Sequence, residues 1–116
     1  MKDFYRLHAD MCKTIASPKR LEILNLLRGS ERPVGDLADA MNVPAANVSQ
    51  QLAVLRGAGV VTSRREGTTV FYRIANPKIM KAYDLMTEVM KDATAERSRV
   101  ARSRRSVRRA SPREDS

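Results

Sequence analysis

A chain of 116 residues with a formal net charge of +9 is long enough for one small domain and strongly basic for its size. No apolar run approaches the roughly 20 residues of a membrane span, and a single cysteine, Cys12, excludes a disulfide within the chain. Glu96 to Ser116 holds eight arginines against three acids, a net of +5, which leaves +4 for the rest, so a polyanion is the expected partner of both parts. Met1 is followed by Lys2-Asp3-Phe4 rather than the apolar segment of a secretory signal, and the lone thiol suits a reducing compartment. A cytoplasmic protein is expected.

Phe4, Leu7, Met11 and Ile15 recur at three and four residues and predict a first amphipathic helix. Ser17-Pro18 ends it and starts the next, because serine accepts a hydrogen bond from the free first-turn amides and proline at the first helical position loses nothing. Leu21, Ile23, Leu24, Leu26 and Leu27 make the second helix apolar over most of its circumference, and Gly29 marks its end. A third helix over Val34 to Met41 turns Val34, Leu37, Ala38 and Met41 inward. Asn42-Val43-Pro44 is a turn.

The fourth helix, Ala45 to Gly57, has an apolar back of Val48, Leu52 and Leu55 and a polar edge of Asn47, Ser49, Gln50 and Gln51 near its start. Gly57 and Gly59 then release the chain into a hairpin from Val60 to Ile74, with Glu66-Gly67 at its tip. Asn76-Pro77 opens a fifth helix whose Ile79, Tyr83, Met86 and Met90 form a stripe flanked by Met80 and Val89. The fold expected is mainly helical with one small β-hairpin, four helices, two strands and a last helix, in the order of a winged helix-turn-helix. A helix held down on its back and polar on its leading edge suits the major groove of double-stranded DNA.

On that reading Asn47, Ser49, Gln50, Gln51 and Arg56 of the fourth helix, with Arg64, Arg65 and Thr68 of the wing, are the DNA-binding residues. The apolar stripes of the first and fifth helices exceed what one small domain needs and are read as a homodimer interface, the alternative being packing on the winged core. Residues 1–93 are expected to form the DNA-binding and dimerisation domain. Residues 94–116 form a basic Arg/Ser-rich tail, flexible or a frayed continuation of the fifth helix, which either contacts phosphates or is a solvated extension.

Three blocks resemble the arsenic-repressor (ArsR) family: Ala16-Ser17-Pro18-Lys19-Arg20-Leu21-Glu22-Ile23-Leu24; Val48-Ser49-Gln50-Gln51-Leu52 with Leu55 and Gly59-Val60-Val61; and Arg64-Arg65-Glu66-Gly67 with Phe71-Tyr72-Arg73-Ile74. The resemblance covers about Cys12 to Met90. It implies a homodimeric winged-helix repressor that binds an inverted-repeat operator and is released by a chemical signal.

The departures from that family concern the signal. Where many members place a Cys-x-Cys pair at the start of the third helix, this chain has Arg32-Pro33-Val34-Gly35, none of which can donate a thiolate or imidazole. The fifth helix offers Asp84, Glu88 and Asp92 but no histidine, and carboxylates alone select poorly for a transition metal. No metal or cofactor is therefore expected. Gln51 replaces the commonest histidine of the family's recognition helix, and Ala45-Ala46 puts methyl groups where polar side chains often stand, so discrimination leans on Asn47, Ser49, Gln50 and DNA shape.

His8 and Cys12, four residues apart on one face of the first helix, are the candidate sensor; the plainer reading is a buried thiol in the core and a surface histidine. A sequence-specific regulator uses the recognition helix, wing and dimer stripe together. A nonspecific architectural or RNA-binding protein would use only the charge. An enzyme has least support, because the sole His and Cys share one helix and no paired-carboxylate site, phosphate loop or serine-centred motif is present.

Overall fold

The computed structural model describes residues 1–110, with side chains through Arg105. In chain order the elements are α1 (Lys2–Ile15), α2 (Pro18–Leu26), β1 (Arg32–Pro33), α3 (Val34–Met41), α4 (Ala45–Gly57), β2 (Val61–Glu66), β3 (Thr69–Ile74) and α5 (Lys78–Ala110). They fall into two compact units that divide after Met80, the second containing the remainder of α5. No helix among the described residues is long and apolar enough to cross a membrane.

Breakers place the helix ends. Ser17 is extended, its Oγ accepts from the Arg20 amide at 3.5 Å, and Pro18 opens α2. Gly29, at φ +68°, takes the left-handed conformation that carries the chain out of the turn after α2. Asn42 ends α3 at φ +56°, a conformation asparagine tolerates, and the Val43 amide donates back to the Ala38 carbonyl at 3.2 Å.

The core follows the apolar spacing. Ile23, Leu24 and Leu27 from the second helical segment, Leu37 and Ala38 from α3, Val48, Leu52 and Leu55 from α4, and Val60 and Val61 are all buried. Each side chain of the α4 back is buried to within 1% of full enclosure, so that helix has one permitted orientation on the domain. Met80 closes the first unit at 7% exposure.

The sheet differs from the expected hairpin. It has three antiparallel strands in the order β1-β3-β2, with Arg32 opposite Tyr72 and Pro33 opposite Phe71. Two residues, one of them a proline, carry no alternation to announce a strand; proline is tolerated because β1 lies at the sheet edge. The β2-β3 register runs from Val61 opposite Ile74 to Glu66 opposite Thr69, so the turn is Gly67-Thr68. Gly67 has φ +63°, as the first position of a two-residue hairpin turn requires.

The fifth helix runs on past residue 93 into the basic segment, for which the sequence leaves a helical continuation open. The Asn76 side chain accepts from the Lys78 amide at 2.9 Å, and the helix then continues to Ala110 without a break at 93/94. At about 1.5 Å per residue its 33 residues extend roughly 50 Å. Ala93, Ala95, Ala101 and the arginines are good helix formers, and no glycine or proline intervenes between Pro77 and Pro112. The part of the basic tail beyond Ala110 lies outside the described residues.

Candidate nucleic-acid interface

The α3-turn-α4 unit presents the edge that the sequence spacing predicts. Val48, Leu52 and Leu55 fix the back of α4, leaving Ser49 and Gln50 exposed and Asn47 half-buried. Arg56 is exposed in the last turn. No side chain caps the start of α4; the Asn47 amide donates to the Pro44 carbonyl at 3.0 Å, and those of Ala45 and Ala46 are left for an acceptor from outside.

Gln51 belongs to a different network. Its Oε1 accepts from Arg20 Nε at 2.8 Å, and Arg20 Nη1 donates to the Thr14 carbonyl, also at 2.8 Å. One guanidinium therefore links the last turn of α1 to the recognition helix. The spacing of α4 puts Gln51 near its polar edge, but the partner 31 residues earlier in the chain has no local signal.

The wing arginines divide in the same way. Arg64 Nε donates to Glu31 at 3.0 and 2.8 Å, its Nη1 to Glu66 at 2.9 Å, and the guanidinium lies 4.8 Å from the centre of the Phe71 ring. Its hydrogen bond to Arg64 holds the Glu31 carboxyl below its ordinary range; partial desolvation opposes this, and the charges of Arg64 and Arg73 reinforce it. The same bonds to Glu31 and Glu66 raise the Arg64 pKa. Arg64 thus ties the wing to the residue preceding β1 and is committed within the chain. Arg65 and Thr68 are exposed, Thr68 beside Gly67 at the hairpin tip, and Arg65 has no hydrogen bond or ion pair among the described residues.

The structure thus brings Asn47, Ser49, Gln50, Arg65 and Thr68 to the surface and turns Gln51 and Arg64 toward partners of their own. Sequence reasoning missed Glu31, Phe71 and the clamping role of Arg20. The opposite charges of Glu31 and Arg64 are visible in the sequence, but their pairing depends on the third strand.

His8 and Cys12 share α1, with the His8 ring 6.3 Å from that of Phe4. Cys12 is exposed, which corrects the reading of it as a core thiol; nothing from α2 to α4 covers that face of α1. Among the described residues no three of His, Cys, Asp and Glu group as a metal site.

The family model described as the arsR family of bacterial regulatory proteins matches residues 17–63, which span α2, α3, α4 and the start of the wing. Rv0081 of Mycobacterium tuberculosis, an HTH-type transcriptional regulator, is 40% identical over 94 residues, covering 80% of this chain and 82% of its own length. Its crystal structure superposes with a TM-score of 0.76 over 82% of this chain and 96% of that one. The biofilm growth-associated repressor of Agrobacterium fabrum is 38% identical over 78 residues, 67% of each chain. The homodimeric winged helix-turn-helix DNA-binding domain of Mb0332 from Mycobacterium bovis is 32% identical, with a TM-score of 0.74 over 82% of this chain and 88% of that one. A buried-backed recognition helix followed by a wing, in a chain this similar to those regulators over most of its length, belongs to the arsR family, and the protein is a DNA-binding transcriptional regulator of the winged helix-turn-helix type.

Proposed function

We propose that this regulator is a homodimeric repressor that places α4 of each protomer in successive major grooves of an inverted-repeat operator. The polar edge of α4, supported on buried Val48, Leu52 and Leu55, carries this reading. Asn47, Ser49 and Gln50 contact base edges, the methyl groups of Ala45 and Ala46 suit thymine, and Arg56, Arg65 and Thr68 hold phosphate. Gln51 and Arg64 act from behind, Gln51 by fixing α4 and Arg64 by fixing the wing.

The dimer rests on α1 and α5. No residue of α1 is buried, and Phe4 and Leu7 are 60% and 67% exposed. On α5, Leu85, Met86, Val89 and Met90 are all at least 60% exposed. Exposed apolar stripes on two helices of so small a chain call for a partner surface, and a second copy supplies it by symmetry. Cys12 is the sole thiol, so any thiol-based response of this regulator to oxidation passes through it.

Footprinting on a duplex containing the DNA upstream of the gene tests the reading. A protected pair of half-sites, centres roughly 34 to 36 Å apart, is the expected outcome. Uniform protection without half-sites would overturn it.

A further inference from the structure

The side chains of α5 are sorted along its length. Met86, Val89, Ala93, Glu96, Val100 and Ser103 follow one another at alternate spacings of three and four and so share one face. The first half of that face is apolar and exposed, with flanking Tyr83, Leu85 and Met90. In the second half Glu96 and Ser103 enter the face, and the flanking positions become Arg97, Arg99 and Arg104.

A second copy cannot cover both halves equally well. No acid follows Glu96 until Glu114, so two such segments laid directly against each other would set arginine against arginine. The segment is also uncompensated within itself. Glu96 pairs with Arg99, after which Arg99, Arg102 and Arg105 stand three apart, and like charges at that spacing destabilise a helix. Seven arginines and no lysine lie between positions 97 and 109, and the guanidinium is the side chain whose planar fork matches two phosphate oxygens. Arg97, Arg99, Arg102, Arg104 and Arg105 are all exposed on one continuous helix.

We propose that the arginine half of α5, from Arg97 to Arg105, is a second DNA-contacting element that grips the phosphate backbone of duplex DNA without reading its sequence. This rests on the reading of α4 as an operator-binding helix, since a chain already held on duplex DNA presents these arginines to duplex phosphate at high effective concentration. The polyanion then supplies the compensating charge that the helix lacks.

The test replaces Arg97, Arg99, Arg102, Arg104 and Arg105 by glutamine in the full chain, with a second variant carrying lysine at the same five positions. Affinity is measured against salt for an operator duplex, a random duplex of the same length and a single-stranded RNA. With glutamine, the slope of log affinity against log salt should fall in magnitude by up to about 4.5 per bound protomer on both duplexes, at roughly 0.9 per phosphate released. The operator-to-random ratio should be unchanged, and lysine should restore most of the slope. An unchanged slope on both duplexes overturns the proposal, as does a loss confined to RNA. Failure of the operator reading would appear separately, as an operator-to-random ratio near one in the parent chain.

Discussion

Arg64 and Glu31, 33 residues apart, are joined by two hydrogen bonds from a single guanidinium nitrogen, at 3.0 and 2.8 Å. The pair anchors β2 to the residue just before β1, and it engages one of the two arginines that the wing sequence offers. Glu31→Gln should release Arg64 to phosphate and steepen the salt dependence of random-duplex binding by about 0.9 in slope. An unchanged slope would show that Arg64 already touches DNA in the parent chain.

The same pair has a pH signature. The Glu31 carboxyl lies below its ordinary value of 4.5 in the folded chain, so its contribution is present above the unfolded value and disappears as pH falls through the folded one. The clamp should therefore remain closed at pH 4.5 and open only on further acidification. The Arg64 Nε–H resonance, followed by NMR down the pH scale, should shift with a midpoint below 4.5, and Glu31→Gln should remove that transition.

Gln50 and Gln51 are neighbours in sequence with different tasks. Gln50→Ala should reduce operator discrimination by about 1 to 3 kcal/mol, because a base-edge contact is lost. Gln51→Ala should weaken operator and random DNA by similar factors, since it removes the acceptor of Arg20 and loosens the seat of α4. Competition binding with the two duplexes separates these outcomes.

Leu52 is fully enclosed on the back of α4. Leu52→Ala should cost about 2 to 5 kcal/mol in chemical unfolding, because the vacated space cannot collapse completely. Val54→Ala, on the 44% exposed side of the same helix, should change stability far less.

Metal and oxidant responses should part company. Arsenite, cadmium and zinc should leave DNA bound at physiological concentrations, because α3 begins without thiols and α5 has no histidine. Release by a thiol oxidant, measured by fluorescence anisotropy, should be abolished by Cys12→Ser. Metal-driven release that survives that substitution would disclose a site elsewhere.

What was legible in the sequence was what local chemistry decides. Ser17-Pro18, Asn42-Val43-Pro44 and the glycines at 57 and 59 bracket helices whose apolar spacing is unambiguous, and α3 and α4 begin and end where those signals put them. The third strand was not legible, because Arg32 and Pro33 become a strand only by pairing with Tyr72 and Phe71 some forty residues later. Long-range pairing also hid the commitments of Arg64 and Gln51, whose residue types alone fit DNA equally well. For the basic segment the sequence leaves a frayed continuation of α5 and a flexible tail both open, because arginine and serine there carry no apolar periodicity although the backbone meets no breaker before Pro112.

Arg20 donates to a main-chain oxygen at Thr14 and to a side-chain oxygen at Gln51, and the difference governs which substitutions the chain tolerates. Position 14 can change its side chain freely, because a carbonyl comes with every residue. Positions 20 and 51 cannot drift independently. Lysine at 20 presents a single ammonium in place of a planar fork and cannot span both acceptors in the same geometry, while any residue at 51 without an oxygen at that reach leaves the guanidinium half satisfied. The seat of the recognition helix is in this sense inherited as a pair, and the two positions should be exchanged together or kept together.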